Sequence, residues 1–262
     1  MDRSELDARF QFALDLIREA GALALNYFGK RKDLTIKSKG MQDLASEADL
    51  ETELLIRRKL EARWPDDAFL GEETGTSDYR PEQGIWVVDP IDGTQPFICG
   101  MSSWCVSIAF VLDGTLRFGA VFAPARDELF AGGEGFPAML NGEPVERSAA
   151  EALNQGITGF GYSPRVSHGD VAPVFERLLE ANGTFYRDGS GALSLCYVAA
   201  GRLIGYIEPH INSWDCLGAV AVIRAAGLQT SDFLQGDALH EGNWLVAGAP
   251  AVYGELHRVL KG

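Results

Sequence analysis

The spacing of apolar residues changes partway along the chain. At first apolar residues recur every three or four positions, which predicts a helix from Leu6 to Phe28 and a second helix that begins near Ser46. Short apolar runs follow, such as Cys105–Leu112 and Arg117–Ala123, and the turn pair Asp113-Gly114 between those two indicates a hairpin. Two helices followed by a mainly antiparallel sheet are typical of an α+β unit.

The second helix has a recognisable start. Ser46-Glu47-Ala48-Asp49 has the form of a capping box in which Asp stands in place of the usual Glu. The polar segment Arg31–Gln42 before it is predicted as a loop or a short strand, and Pro65 ends the helix. We expect a mostly buried stripe along this helix, formed by Leu50, Leu54, Leu60 and Trp64.

Strands and helices alternate in the second half of the chain, which predicts a layered α/β unit. The turn Asn141-Gly142-Glu143-Pro144 is a plausible border, so we expect subdomains at residues 1–142 and 143–262. The predicted strands are Ile157–Gly161, Phe185–Arg187, Leu203–Ile207 and Trp244–Ala247. The predicted helices are Val171–Ala181, Gly191–Ala200, Cys216–Ala226 and Ala251–Leu260.

The charge of the chain is strongly acidic. Its 37 Asp and Glu against 23 Lys and Arg give a net charge of −14, which disfavours nucleic acid as a partner. Met1–Phe10 lacks the apolar run of a signal peptide, and no stretch reaches the ~18 apolar residues of a membrane span. The four cysteines form no CxxC pair, so we expect buried free thiols in a reducing cytoplasm.

An apolar strand ends in two carboxylates, Asp89 and Asp92, on either side of Pro90. The proline fixes its own φ and restrains the residue before it, so the chain turns sharply and can aim both carboxylates at one point. Gly93 and Thr94 follow, and their backbone N–H groups would provide an anion site beside a cation site. As a bare pattern, this arrangement is more simply explained by a turn with an N-cap, but the strand before it and Gly93-Thr94 after it strengthen the functional interpretation.

Two further acidic clusters lie in comparable positions. Glu72-Glu73 follows a short apolar run, and Asp215 stands at the start of a predicted helix. Taken singly, these are explained by a solvated pair and an N-cap. Together with Asp89 and Asp92 they provide four oxygen donors without His or Cys, a set that suits Mg²⁺ rather than zinc. Such sites are common where phosphate is handled, because substrate oxygens complete the coordination.

The sequence resembles the inositol monophosphatase family of Mg²⁺-dependent, lithium-sensitive phosphatases over nearly its whole length. The resemblance rests on Gly71-Glu72-Glu73, on Asp89-Pro90-Ile91-Asp92-Gly93-Thr94, and on Trp214-Asp215 leading to Ala225-Ala226-Gly227. It implies a layered αβαβα sandwich of two closely packed subdomains with the metal site between them. It also implies that metal-activated water hydrolyses a small polyol phosphate, with two or three Mg²⁺ ions in each site.

The resemblance carries roles over to individual residues. The implied metal ligands are the carboxylates of Glu72, Asp89, Asp92 and Asp215 and the backbone carbonyl of Ile91. Asp89 would bridge two metals, and Glu72 would also contact the attacking water. The Thr94 hydroxyl would pair with Asp49 to orient that water. The implied substrate contacts are the backbone N–H groups of Gly93 and Thr94, the carboxylate of Glu208, and the loop at Ser190 and Gly191.

Alternatives remain at the level of substrate and partner. Gln95-Pro96-Phe97-Ile98-Cys99-Gly100 departs from the usual family pattern and loosely resembles the histidinol-phosphate phosphatase branch. Bisphosphatase interpretations are weaker, because few basic residues stand near the motifs; Arg187 is the main exception. A regulatory protein that keeps the fold and binds transcription machinery is a further alternative. We expect a cytoplasmic homodimer acting on a small phosphorylated substrate, with neither nucleic acid nor a membrane as partner.

Overall fold

The computed structural model describes residues 1–34, 36–40, 43–76, 79–80 and 82–262, and for 33, 37–40 and 43–45 it describes the backbone alone. Part of the predicted loop Arg31–Gln42 therefore lies outside the described residues. Among the residues that the structure describes, no helix is both long and apolar enough to cross a membrane. The elements of the N-terminal part are α1 (Arg3–Gly29), a 3-10 turn (Arg31–Asp33), β1 (Ile36–Gly40), β2 (Asp43–Ser46) and α2 (Glu47–Arg63).

Eight strands form the first large sheet, in the order β10-β9-β8-β7-β6-β5-β3-β4. Its strands are β3 (Ala68–Gly71), β4 (Gly75–Thr76), β5 (Ile85–Asp92), β6 (Cys105–Leu112), β7 (Thr115–Ala123), β8 (Glu128–Gly133), β9 (Phe136–Leu140) and β10 (Glu143–Pro144). The short helix α3 (Thr94–Cys99) connects β5 to β6. Only the pair β3–β5 is parallel among these neighbours, so the predicted mainly antiparallel sheet is confirmed. The sequence patterns missed β9, where Pro137 interrupts the apolar run.

A second sheet of five strands has the order β12-β11-β13-β15-β14. The elements of this part are a 3-10 turn (Leu153–Gln155), β11 (Ile157–Phe160), α4 (His168–Glu180), β12 (Thr184–Tyr186), α5 (Gly191–Ala199), β13 (Gly205–Ile211), α6 (Ser213–Ala225), β14 (Gln229–Thr230), α7 (Ala238–Glu241), β15 (Asn243–Gly248) and α8 (Pro250–Lys261). Every helix and strand predicted for this half is present, with ends shifted by a few residues. The border at residue 142 stays a prediction; β10, just beyond it, still pairs with β9.

The layers stack as helices, sheet, helices, sheet, helices. Helices α1 and α2 pack through an aromatic-rich core on one face of the larger sheet. Helices α5 and α6 lie between the two sheets, and α4 and α8 cover the outer face of the smaller one. Each sheet thus buries both faces, which removes the apolar surface of its strands from water. The αβαβα sandwich expected from the resemblance is confirmed.

The buried face of α2 differs from the predicted stripe. Leu50 is 38% exposed, whereas the carboxylates of Asp49 and Glu53 are fully buried. Leu60 is buried as expected. The apolar spacing misplaced this face because two acidic side chains, one turn apart, occupy it and point into the protein. Buried carboxylates need polar partners, and those partners lie at the candidate site.

Three of the four cysteines, Cys105, Cys196 and Cys216, are buried free thiols, as predicted. Cys99 is exposed instead, because it ends the short helix α3 at the wall of the main cavity. The expectation of four buried thiols was therefore wrong at this one position.

Candidate metal centre and active site

Three carboxylates converge where β5 ends and α6 begins. Asp89, Asp92 and Asp215 each offer an oxygen, and these oxygens lie within 4.8 Å of one another. Burial raises the pKa of all three, and neighbouring negative charges raise it further for Asp89 and for Asp92, whose pKa reaches about 7. Buried like charges at this separation repel each other unless a cation lies between them. Because the donors are all oxygens, the cluster fits a hard divalent cation.

The sequence folds into this arrangement through local turns. The Ile91 N–H donates to Asp89 Oδ1 at 2.9 Å, which fixes the turn around Pro90. Gly93 has φ of 92°, and a Cβ there would lie 2.7 Å from the Ser103 carbonyl oxygen, so only glycine fits. Asp215 closes a capping box in the first turn of α6 by accepting hydrogen bonds from the N–H and the side-chain amide of Asn212. The N-cap explanation for Asp215 was therefore wrong by three positions: Asn212 is the N-cap, and Asp215 is the third residue of the helix, where it supports the cap and also belongs to the cluster.

Asp92 is held by the start of α5. Its Oδ2 accepts hydrogen bonds from the Ser190 hydroxyl at 2.5 Å and the Ala192 N–H at 2.7 Å, and the Gly191 N–H lies 3.4 Å from Oδ1. Sequence reasoning placed Ser190 and Gly191 beside a substrate but missed their contact with Asp92. Both residues also line the main cavity, which is compatible with contact to a substrate. Their substrate role stays a prediction. Of the two oxygens of Asp92, Oδ1 therefore has the weaker hydrogen bonding within the protein and is more available to a cation.

Asp49 and Thr94 meet across the site. The Thr94 hydroxyl lies 3.2 Å from Asp49 Oδ1 and 3.1 Å from the Ile91 carbonyl oxygen. The other oxygen, Asp49 Oδ2, accepts hydrogen bonds from the N–H and the hydroxyl of Ser46, as the predicted capping box requires. Burial raises the pKa of Asp49 to about 6. Asp49 therefore has one oxygen fixed by its own helix start and one directed at Thr94.

Glu72 follows the end of β3 and lines the same cavity as the three aspartates. Its N–H donates to the Val88 carbonyl oxygen at 3.3 Å, which ties its turn to β5. Its carboxylate is not part of the close three-oxygen group. The turn also contacts Glu53, which the sequence analysis did not single out although it stands one helical turn after Asp49.

Glu208 lies on β13 and is 5% exposed. The Tyr206 hydroxyl donates to its Oε2 at 2.5 Å, and burial raises the pKa of Glu208 to about 8. The carboxyl group faces the same cavity, which has a volume of about 680 Å³. Arg187 also lines this cavity, and so does Arg165, which the sequence analysis did not identify. No pattern near Arg165 in the sequence connects it to the motifs.

One cavity thus brings together most of the residues that the sequence analysis selected. The predicted residues in its wall are Glu72, Asp89, Ile91, Asp92, Gly93, Thr94, Ser190, Gly191, Glu208 and Asp215. Asp49 is absent from the wall and reaches the site through Thr94. The convergence depends on both sheets, since these residues come from segments that are far apart in the chain.

The raised pKa values of Asp49 and Glu208 predict the pH dependence of stability. The native state holds these protons more tightly than the unfolded state, so the stabilisation is complete below about pH 4 and is lost as pH rises toward 8. We expect the melting temperature of the metal-free protein to fall by at least ~5 °C between pH 5 and pH 8. Glu208→Gln, which mimics the protonated carboxyl group, should flatten the upper part of this profile. A melting temperature that rises over the interval would contradict the assignment.

Comparison with known proteins identifies the family. The profile of the inositol monophosphatase family matches residues 5–261. The Nus factor SuhB of Xylella fastidiosa is 34% identical, over 93% of this chain and 90% of its own length. The inositol-1-monophosphatase of Rhizobium meliloti is 32% identical, over 93% and 92%. The crystal structure of extragenic suppressor protein suhB from Bartonella henselae has a TM-score of 0.89 at 29% identity, over 97% and 98%. The chain belongs to the inositol monophosphatase family, and its acidic cluster is consistent with the metal dependence of that family.

Proposed function

We propose that this protein is a Mg²⁺-dependent phosphatase that hydrolyses the phosphate monoester of a small polyol, of the inositol monophosphate type. The observation that carries the proposal is the cluster of Asp89, Asp92 and the partly buried Asp215 in the wall of a large cavity. Three carboxylates in so small a space need a cation, and a carboxylate-bound hard cation is suited to phosphate chemistry.

The proposed metal ligands are Glu72, Asp89, Asp92, Asp215 and the carbonyl oxygen of Ile91. When bound, Mg²⁺ supplies a lowered pKa for water and a positive charge beside the phosphoryl and leaving oxygens. The donor set fits two or three ions because the carboxylates carry more oxygens than one ion uses. The Ser190 hydroxyl and the N–H of Ala192 keep Asp92 in one orientation.

Residues of the chain perform the remaining steps. The N–H groups of Gly93 and Thr94 would donate to phosphate oxygens and meet the charge that develops there. The Thr94 hydroxyl donates to Asp49, and its free lone pair can then accept a hydrogen bond from the attacking water and orient it. Glu208 would accept a hydroxyl group of the substrate next to the phosphate. Water attacks in line, so no covalent intermediate with the protein is needed.

The basic side chains that line the cavity affect which phosphate esters can bind there. Monophosphates are expected from the sequence because the catalytic motif supplies no basic side chain. Arg165 and Arg187 both line the cavity, however, and guanidinium groups bind phosphate well. We therefore expect the protein to hydrolyse fructose 1,6-bisphosphate in addition to myo-inositol 1-phosphate. Histidinol phosphate, whose ammonium group Glu208 could attract, is the nearest rival substrate.

A regulatory function is the second candidate. Several relatives are named Nus factor SuhB, including the protein of Xylella fastidiosa, which is 34% identical. The acidic surface suits a protein partner with basic groups. The carboxylate cluster supports catalysis, because a protein that only binds a partner has no need of three mutually repelling carboxylates in so small a space.

The experiment that tests the proposal is a phosphatase assay of the purified protein with and without Mg²⁺. Free phosphate is measured with myo-inositol 1-phosphate, histidinol phosphate and fructose 1,6-bisphosphate, and kcat/KM is compared. We expect hydrolysis that requires Mg²⁺ and is lost in EDTA. Mg²⁺-independent turnover would contradict the metal centre, and a folded protein inactive on all three esters would favour the regulatory candidate.

Four further expectations remain predictions from the sequence and the family resemblance. They are a homodimer, a cytoplasmic location, inhibition by lithium and a subdomain border at residue 142. Light scattering of the purified protein tests the first, and the phosphatase assay in the presence of lithium tests the third.

A further inference from the structure

Glu53 is a fully buried carboxylate on α2 for which neither the sequence nor the proposed mechanism has assigned a role. Its Oε2 accepts a hydrogen bond from the Glu73 N–H at 2.8 Å, and its Oε1 accepts one from the Thr74 N–H at 2.7 Å. The Thr74 hydroxyl also bonds to this carboxylate and in turn accepts a hydrogen bond from Arg57 at 3.1 Å. A buried charge in this setting is costly unless its hydrogen bonds are well made, and here both oxygens are engaged.

The contacts of Glu53 lie on both sides of Glu72. Glu73 and Thr74, which donate to it, follow Glu72 directly in the turn between β3 and β4. On the other side, a Cβ at Gly71 would lie 2.4 Å from the Glu53 carboxyl group, so the carboxylate packs directly against the backbone there. Glu53 therefore fixes the main chain immediately before and immediately after Glu72.

The same helix face holds a second part of the site. Asp49 stands one turn earlier on α2, is also fully buried, and contacts the Thr94 hydroxyl. Side chains four residues apart lie on the same face of a helix, so α2 presents one carboxylate to Thr94 and the next to the turn of Glu72. One rigid element thereby sets the distance between the two.

We propose that Glu53 is a positioning residue, which holds the turn at residues 72–74 so that the Glu72 carboxylate is presented to the metal centre. This inference rests on the proposed function, in which Glu72 is a metal ligand. Glu53 does not contact the reacting groups and acts through Glu72. Glutamine would fill the same space, but it has one acceptor oxygen where the carboxylate has two, so one of the two N–H groups of the turn would face an NH₂ group that cannot accept its hydrogen bond.

Glu53→Gln is the first test, because it keeps the size of the side chain and removes the charge. We expect the Mg²⁺ concentration for half-maximal phosphatase activity to rise about 10-fold to 100-fold, as for other groups that support metal ligands. Titration calorimetry with Mg²⁺ alone should show a parallel loss of affinity. KM for myo-inositol 1-phosphate at saturating Mg²⁺ should change by less than about twofold, since substrate contacts are untouched. Glu51→Gln, an exposed position on the same helix, is the matched control.

Gly71→Ala is an independent variant that leaves the charge in place. The added methyl group would displace the Glu53 carboxylate from the turn, so we expect the same loss of Mg²⁺ affinity. In a Glu72→Gln background, Glu53→Gln should cause little further loss, because the two residues act in series. Far-ultraviolet circular dichroism and the melting temperature establish that each variant folds.

The outcomes separate this inference from the proposed function. Wild-type Mg²⁺ affinity in folded Glu53→Gln and Gly71→Ala proteins would overturn the inference alone. A full additional loss in the Glu72→Gln background would also overturn it, since Glu53 would then act independently of Glu72. If the wild-type protein binds Mg²⁺ but hydrolyses none of the esters, the proposed function fails, and the calorimetric comparison still decides the role of Glu53. A wild-type protein that neither binds Mg²⁺ nor hydrolyses the esters would overturn both.

Discussion

Asp92→Asn is expected to lower kcat/KM for phosphate ester hydrolysis by at least ~10³-fold, equivalent to about 4 kcal/mol, in a protein that still folds. Asp92 already accepts hydrogen bonds from the Ser190 hydroxyl and the Ala192 N–H. An asparagine must keep its carbonyl oxygen toward these donors, which turns its NH₂ group toward the metal centre. The centre then loses both a charge and an oxygen ligand.

The measurement is kcat/KM over a range of Mg²⁺ concentrations, with titration calorimetry for metal binding. Asp15→Asn on the exposed face of α1 is the matched control and should behave like the wild-type protein. The melting temperature of metal-free Asp92→Asn should stay close to that of the wild type, because one of three repelling carboxylates is removed. Full activity in the folded variant would refute the assignment of Asp92 as a ligand.

Thr94→Ala is expected to lower kcat by about 10²-fold to 10³-fold and to change KM by less than about threefold. In the proposed mechanism, the Thr94 hydroxyl joins Asp49 to the attacking water, and an interaction of this kind matters chiefly in the transition state. Thr94→Ser retains the hydroxyl and should recover most of the activity. A change confined to KM would reassign Thr94 to substrate binding.

The pairing of Thr94 with Asp49 is tested by a double-mutant cycle. Asp49→Asn should produce a defect in kcat similar to that of Thr94→Ala, and the double variant should be little worse than either one. Additive losses would show that the two residues act separately. Because Asp49 also caps α2 through Ser46, the melting temperature of each variant is measured alongside the kinetics.

Local patterns were sufficient for much of the fold and for the acidic cluster. The capping box at Ser46, the alternation of the second half and the turn around Pro90 all depend on neighbouring residues, and the structure has each of them. The limits are equally specific. Leu50 was expected inside and is exposed, because Asp49 and Glu53 occupy the buried face of α2. Apolar spacing predicted the helix, but it cannot locate the buried face of a helix when that face carries carboxylates.

The sequence by itself was sufficient to select the candidate site residues, most of which line one cavity, and to predict the order in which the elements follow one another. Spacing and turn chemistry act over a few residues, and they brought Asp89, Asp92, Gly93 and Thr94 together without help from the rest of the chain. Their supporting contacts were decided by the tertiary structure alone. Asp92 receives its hydrogen bonds from Ser190 and Ala192, which lie 98 and 100 positions away. Contacts of this kind, like those of Glu53 with the turn of Glu72 and of Arg165 with the cavity, exist only when distant segments pack in one arrangement, and no short-range pattern encodes that packing.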